Sequence, residues 1–283
     1  MSKKIVAIGG GQIGESISKG IKLPYETGPM DREIIKLSNS NKPNVLFIGF
    51  ADPIGSDKYF DDIDEIYGKR YHCNCKHLSY LDLINNSVVS EKIDWADIFY
   101  VGGGNTYTLM KIFTQYGLDE KLIESYNQGK VMSGLSAGGM CWFKYGNSVI
   151  PTEKEKLQLI KQKCLGLKNM VFAPHCDEIN GHFENVQNLV MSENLVALSL
   201  SNCCAIEIVD DKYKIIQADS TNYKIYPFGL RSFWKDGKYH IENLDLVENN
   251  GDLNLLLEPK EINNTPIDEN VKCLLKRRNI YFK

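Results

Sequence analysis

The stretch Lys130-Val-Met-Ser-Gly-Leu-Ser-Ala-Gly-Gly-Met-Cys-Trp-Phe143 decides how this chain is read. Within it, Gly134-Leu135-Ser136-Ala137-Gly138 has the form G-x-S-x-G. That spacing suits a strand that turns sharply into a helix and holds the central serine on the turn. A side chain larger than hydrogen at Gly134 or Gly138 would collide with neighbouring backbone. Val131 and Met132 are apolar, as a short buried strand requires, and Met140, Trp142 and Phe143 predict the start of a packed helix face. The N-terminus of that helix would direct free N–H groups at whatever Ser136 attacks. The bland alternative is a glycine-rich turn with a chance serine.

Upstream of this segment, apolar runs and helical spacings alternate. Lys4 to Ile8, Asn44 to Gly49, Tyr71 to Leu78 and Asp97 to Val101 read as strands, with Val131 opening a fifth. Between them, helices are predicted from Asp31 (as a cap) to Leu37, over Tyr59 to Tyr67, Leu81 to Ile93, around Leu109 to Phe113, and over Leu118 to Tyr126. Five strand-then-helix units predict an α/β fold: a doubly wound, mostly parallel sheet with helices on both faces. Ligands on such sheets bind beyond the carboxyl ends of the strands. The loops Gly9 to Gly11 and Gly102 to Gly104, and Ser136, should therefore share one edge.

Downstream, Glu153 to Lys163 is charged and helix-prone, Val171 to His175 is a short strand ending in histidine, and Glu184 to Leu195 is helix-like. From Cys204 the chain turns strand-rich: Cys204 to Val209, Tyr213 to Gln217, and Tyr223 to Tyr226. Lys235-Asp236-Gly237-Lys238 is a hairpin signal. No linker or repeat divides the chain. One α/β domain over 1–283 is expected, with about 225–283 as an added C-terminal β element packed on it.

The 283 residues, 43% hydrophobic and 24% charged, are those of an ordinary globular chain. A net charge of −3 gives no electrostatic case for nucleic acid or an anionic membrane, and Lys276, Arg277 and Arg278 read as a solvated patch. The apolar run near the N-terminus is too short for a signal peptide, and no run reaches membrane-spanning length. The eight cysteines are scattered, with Cys203 and Cys204 adjacent, which favours reduced thiols in a cytoplasmic protein, monomeric or homodimeric.

Two further motifs invite chemistry. Gly9-Gly10-Gly11-Gln12-Ile13-Gly14 matches G-x-G-x-x-G, but a dinucleotide site needs a helix next and an acid about 20 residues on, and Pro24, Gly28 and Pro29 interrupt that region. A tight strand-to-loop turn is the preferred reading. His72, Cys73, Cys75 and His77 suggest zinc. All four lie within one strand, where His72 would face away from the others, so no metal or other cofactor is assigned.

A nucleophilic serine needs a base. Of the five histidines, His175 follows a strand directly and is the best placed to reach the strand-end edge. Tyr-Val-Gly-Gly-Gly-Asn-Thr (100–106), Gly-Leu-Ser-Ala-Gly-Gly-Met-Cys-Trp-Phe (134–143) and Ala-Pro-His (173–175) together resemble the dipeptidase E and cyanophycinase family of serine peptidases, in its bacterial peptidase E-like branch. The resemblance covers roughly residues 4 to 228. It implies a fold like the class I glutamine amidotransferases, with serine in place of their cysteine. It also implies a short peptide or amide substrate, Ser136 as nucleophile and His175 as base. Gly103, Gly104, Asn105 and Ala137 would then stand on the oxyanion and substrate-binding side.

The chain departs from the family in two places. Where many relatives have an aspartate after the serine motif, Gly146-Asn147-Ser148-Val149-Ile150 has no acid. Glu207 is the candidate to orient His175 instead, because strand alternation puts it with Ala205 and Val209 among apolar neighbours, with Asp177 and Glu178 as weaker candidates. Asp177 to Leu189 also lacks the arginine with which aspartyl dipeptidases hold an acidic side chain. Two other readings stand beside the hydrolase: a non-catalytic binding or sensing protein on the same scaffold, and a dinucleotide-binding oxidoreductase.

Overall fold

The computed structural model describes residues 1–18, 21–151, 157–179, 181–218, 227–244, 250–261 and 269–277. Its main sheet runs in the spatial order Asn250–Asp252, Lys212–Gln217, Cys204–Val209, Lys4–Ile8, Val131–Leu135, Ile98–Val101, Asn44–Ile48 and Asn74–Leu78. The last five in that order are parallel, from Lys4–Ile8 to Asn74–Leu78. The other three add on antiparallel beside Lys4–Ile8. Buried apolar runs such as Ile5 to Ile8 and Ile98 to Val101 suit a sheet covered on both faces.

Period-two alternation sorts Lys4–Ile8 between the two faces. Val6 and Ile8 point to Met30 and Ile34 of helix Gly28–Leu37 and to Ile63, Ile66 and Tyr67. Ile5 and Ala7 point to a larger core that includes Val89 and Ile93 of helix Asn86–Trp95, Leu109 and Phe113 of helix Thr106–Gln115, and Leu118 and Leu122 of helix Leu118–Asn127. Helices thus lie on both faces, as a doubly wound sheet requires.

A second sheet carries the later half of the chain. Its order is Lys238–Asn243, Gly229–Lys235, Ala197–Leu200, Lys168–Ala173, Phe143–Pro151 and Leu157–Lys163. The sheets share a core. Trp142, Phe143 and Phe172 are fully buried in the cluster under Ile5 and Ala7, and the rings of Phe143 and Phe172 stack with centroids 4.8 Å apart. Burying each such ring stabilises the fold by about 2 kcal/mol.

Several sequence expectations are corrected here. The helix after Ser136 is one turn, Ala137–Met140. Trp142 and Phe143 are buried as expected, but Phe143 starts a strand that pairs with Lys168–Ala173 and Leu157–Lys163. Leu157–Lys163, expected to be helical, is therefore an antiparallel strand, while 152–156 fall outside the described residues. Asp31 is no cap. Its helix starts at Gly28, and the buried Asp31 carboxylate accepts hydrogen bonds from the Tyr25, Tyr67 and Thr27 hydroxyls.

The expected hairpin runs Gly229–Lys235 to Lys238–Asn243, with Asp236 and Gly237 at φ 50° and 73° in its turn. It extends the second sheet, whereas Asn250–Asp252 edges the main one. The expected strand Tyr223 to Tyr226, and Arg278 of the basic run, lie outside the described residues. Among the described residues no helix is long and apolar enough to cross a membrane, and the cysteines are free thiols.

The C-terminal segment is held by one buried cation. Arg231 is 1% exposed and donates to Glu242 Oε2 at 2.8 Å and to the carbonyl oxygens of Leu256, Glu258 and Lys260. Arg231→Met is expected to lower the unfolding free energy by about 3–5 kcal/mol, because Glu242 then loses its guanidinium in a buried place. Urea denaturation reads this. The double variant Arg231→Met/Glu242→Met should regain the part that comes from Glu242 but not the part that comes from the Leu256, Glu258 and Lys260 carbonyls, and a single-variant loss under about 1 kcal/mol would mean that the cation does not hold the segment.

Candidate active site

Ser136 stands at the end of Val131–Leu135, between two parallel neighbours, Lys4–Ile8 and Ile98–Val101. Its backbone is at φ 55°, ψ −113°, a region that a residue with a Cβ occupies only under strain. The turn is tight enough that a Cβ on Gly134 would lie 2.5 Å from the Val101 carbonyl oxygen and 2.6 Å from Gly138. Gly103 follows the Ile98–Val101 strand and backs directly onto Ser136. The N–H of Ala137 opens the helical turn and has no partner within it.

His175 comes from the other sheet. Strand Lys168–Ala173 ends two residues before it, and its backbone N–H donates to the Gly9 carbonyl at 3.1 Å. Held at φ 52°, it brings Nε2 to 2.9 Å from Ser136 Oγ. The site therefore sits where the sheets meet, with the serine from one and the histidine from the other.

The far nitrogen of the ring, Nδ1, lies 2.9 Å from Oδ1 of Asn202. Asn202 follows Ala197–Leu200, the strand beside that of His175. Behind it, Asp177 Oδ1 accepts the Asn202 backbone N–H at 2.9 Å, and Oδ2 lies 3.4 Å from Asn202 Nδ2. Burial raises the Asp177 carboxyl above the usual carboxylate range, against the opposing pull of the Asn202 N–H. Glu178 Oε2 is 3.5 Å from Nδ1 on the exposed side.

Glu207 is not brought to His175. It pairs with Val6 and Lys214 in the middle of its strand, on the face covered by helix Gly28–Leu37, where Glu33, Lys36 and Lys214 are its charged neighbours. Burial pushes its carboxyl up, and Oε2 has no hydrogen-bond partner. The alternation pointed to the right face of the strand, but that face looks at a helix.

Asn105 also turns elsewhere: its side chain caps helix Thr106–Gln115 by accepting the Thr108 N–H at 2.9 Å. Asn147, in the acid-free stretch after the serine motif, serves His182. That buried ring sits 3.2 Å from Asn147 Nδ2 and 3.1 Å from Ser199 Oγ, and burial lowers its pKa to about 3, so it is neutral.

Sequence reasoning that requires an acid passes over Asn202. Two signals could have found it: Val196-Ala-Leu-Ser-Leu is a short apolar strand, and the first polar side chains past a strand end are where sites form.

The Gly9 to Gly14 loop has a role other than nucleotide binding. Among the described residues no helix follows it directly: Ile13 bridges to Tyr25, Ser16–Ser18 pairs with Ile21–Lys22, and the next helix is Gly28–Leu37. Instead, its carbonyls receive the N–H groups of His175 and Cys203, and Gly10 presses so closely on the His175 ring and the Asn202 amide that a Cβ would overlap both. The dinucleotide reading requires a helix N-terminus at these glycines to hold a phosphate, and among the described residues none directly follows them. Of the four zinc candidates, His77 bonds Ser56 Oγ at 3.0 Å and Cys73 leans on the Tyr71 carbonyl. Among the described residues no three potential ligands converge.

A cleft of about 510 Å³ opens over Ser136 and His175, with Gly103, Gly104 and Tyr59 in its wall. Its charged lining is Glu15, Asp52 and Asp62 against Lys58.

The model of peptidase family S51 matches residues 18–216. The uncharacterized peptidase YgaJ of Bacillus subtilis is 31% identical over 179 residues, which covers 62% of this chain and 69% of that protein. Among solved structures, a peptidase from an acI-B1 Actinobacterium superposes with a TM-score of 0.56 at 16% identity, over 86% of this chain and 94% of that one. A putative peptidase E protein from Listeria monocytogenes gives 0.53 at 18% identity, over 77% and 100%. At those identities the likeness is one of fold. The family match, however, runs through the serine elbow, the histidine loop and Asn202 alike, and the chain belongs to peptidase family S51.

Proposed function

We propose that this peptidase is of the serine type, hydrolysing a peptide or amide bond with Ser136 as nucleophile and His175 as general base. The 2.9 Å contact between Ser136 Oγ and His175 Nε2 carries the reading, because it is the bond along which the serine proton leaves. Oγ attacks the carbonyl carbon while Nε2 takes the proton, and the imidazolium then returns that proton to the departing amine. The developing oxyanion falls to the N–H of Ala137 and to one from the Gly103-Gly104 turn, beside which Ser136 sits. The strained elbow supports this, since such strain persists where it holds a reacting group in place.

The cleft wall, with Glu15, Asp52 and Asp62 against Lys58, disfavours an acidic side chain on the substrate. Peptides with a neutral or basic residue at the cleaved bond should be turned over faster than those with an aspartate there. The reverse order would assign the Lys58 side of the cleft to a substrate carboxylate.

A fluorophosphonate probe tests the serine directly. The folded protein should be labelled, with the adduct located on Ser136 by mass spectrometry, and Ser136→Ala and His175→Ala should both abolish it. A folded wild-type protein that stays unlabelled would favour the non-catalytic binding reading instead.

A further inference from the structure

We infer that Asp177 is a positioning residue that decides which end of the Asn202 amide faces His175, and thereby which ring nitrogen carries the proton. The inference rests on the reading of Ser136 and His175 as nucleophile and base. Nε2 can take the serine proton only if it is bare, so the proton of the neutral ring must sit on Nδ1. A proton on Nδ1 needs an acceptor, which is the Asn202 oxygen at 2.9 Å.

An amide is ambivalent, though. Turned over, it would present NH₂ to the ring, Nδ1 would have to accept, and the proton would move to Nε2, where it faces the serine and blocks it. A carboxylate cannot make that mistake, and an amide in its place needs something to break the tie.

Asp177 does so. A carboxylate only accepts, and its Oδ2 stands 3.4 Å from Asn202 Nδ2 while Oδ1 holds the backbone N–H of the same residue at 2.9 Å. With the amide turned over, a carbonyl oxygen would face a carboxylate oxygen and an NH₂ would face the ring. Gly10 closes the remaining side, leaving the amide no room to tilt away. Asn202 is 6% exposed, so water offers little substitute. An uncharged orienting group thus works here with an acid one residue further back, as an asparagine serves the histidine of papain-like peptidases.

The test uses Asp177→Asn. The Asn202 backbone N–H retains the oxygen of the new side chain, which turns its NH₂ toward Asn202 Nδ2. Donor then faces donor until the Asn202 amide turns over. Nitrogen-15 NMR of the histidines, with His175 assigned from His175→Ala, should show its proton on Nδ1 in the wild type and on Nε2 in Asp177→Asn. Fluorophosphonate labelling and kcat should fall by about 10³–10⁴, the scale seen when a serine protease histidine takes the wrong tautomer, with KM little changed.

The double variant Asp177→Asn/Asn202→Asp restores an acceptor-only group against Nδ1. It should recover the Nδ1 proton and bring labelling back to within about tenfold. Glu178→Gln should leave the tautomer as it is. Should Asp177→Asn not fold, Asp177→Ala removes the acceptor without adding a donor and should give a mixed tautomer population. An unchanged tautomer in either Asp177 variant, or a folded double variant without recovery, overturns the inference. A wild type with its proton on Nδ1 whose serine is never labelled counts against the hydrolase reading and leaves the amide lock standing.

Discussion

Ser136→Gly and Ser136→Ala should both lose hydrolysis by about 10⁶ in kcat, the cost of removing a serine nucleophile, yet the glycine variant should be the more stable of the two. Each loses the hydroxyl and its bond to His175, so that term cancels between them. What remains is backbone. At φ 55°, ψ −113° a Cβ is strained by about 1–3 kcal/mol, and glycine relieves this, while its greater unfolded-state freedom returns about 0.5–1 kcal/mol. A net advantage of about 1 kcal/mol for glycine is expected, the opposite of the usual order between these residues. Thermal or urea unfolding of the two inactive proteins measures it. An alanine variant as stable as the glycine one would mean that the elbow stores no strain.

Gly138→Ala should be among the most damaging single methyl groups that the described residues could receive. The Cβ would be driven into the carbonyl of Val101 and would come within 2.9 Å of the Gly102 carbonyl oxygen. These are backbone atoms of the adjacent central strand and its loop, so no rotamer change relieves the overlap. Either the elbow lifts away from strand Ile98–Val101 or that strand moves, and Val101 is fully buried. A loss of about 3–5 kcal/mol is expected, at the upper end for an overpacked site. Against the 5–15 kcal/mol by which domains are usually stable, that is a large fraction. Circular dichroism melting compares variant and wild type. A fall of less than about 1 kcal/mol would show that the turn has slack the geometry does not suggest.

Much of the parallel half of the fold is legible because most of its strands are apolar runs ending in glycines or the elbow; Asn74–Leu78, with its polar residues, is the exception. Asn44–Ile48 and Ile98–Val101 are unambiguous in this respect. The second sheet was harder to see. Leu157–Lys163 has lysines and glutamines at its exposed positions, and charge without a strong apolar period reads as helix. Phe143 was read as buried, which it is, but burial alone does not tell strand from helix over so few residues.

Of the site, Ser136 and His175 could be named because strand-end position and residue type agree. Asn202 is legible only as a polar side chain just past a strand end, without its partner, and the displacement of Glu207 is not legible, because both pairings depend on which strand lies beside which. Ala197–Leu200 lies beside Lys168–Ala173 and thereby delivers Asn202 to the ring, whereas Cys204–Val209 crosses to the main sheet and carries Glu207 under a helix.

The division of the site between two sheets has a consequence for the protein's life history. On the proposed reading, Ser136 is an ordinary alcohol until His175 and Asn202 are seated against it, and both arrive only when the second sheet has docked. The chain from Ser201 to Cys203 makes that crossing, and the strand it leads to, Cys204–Val209, must lie down beside Lys4–Ile8 at the opposite end of the sequence. Such distant pairings form late. During synthesis, Ser136 leaves the ribosome before His175 and Asn202, so on this reading a half-folded molecule lacks the base its serine needs. Long-range topology thus supplies the kind of delay that a zymogen obtains from its propeptide.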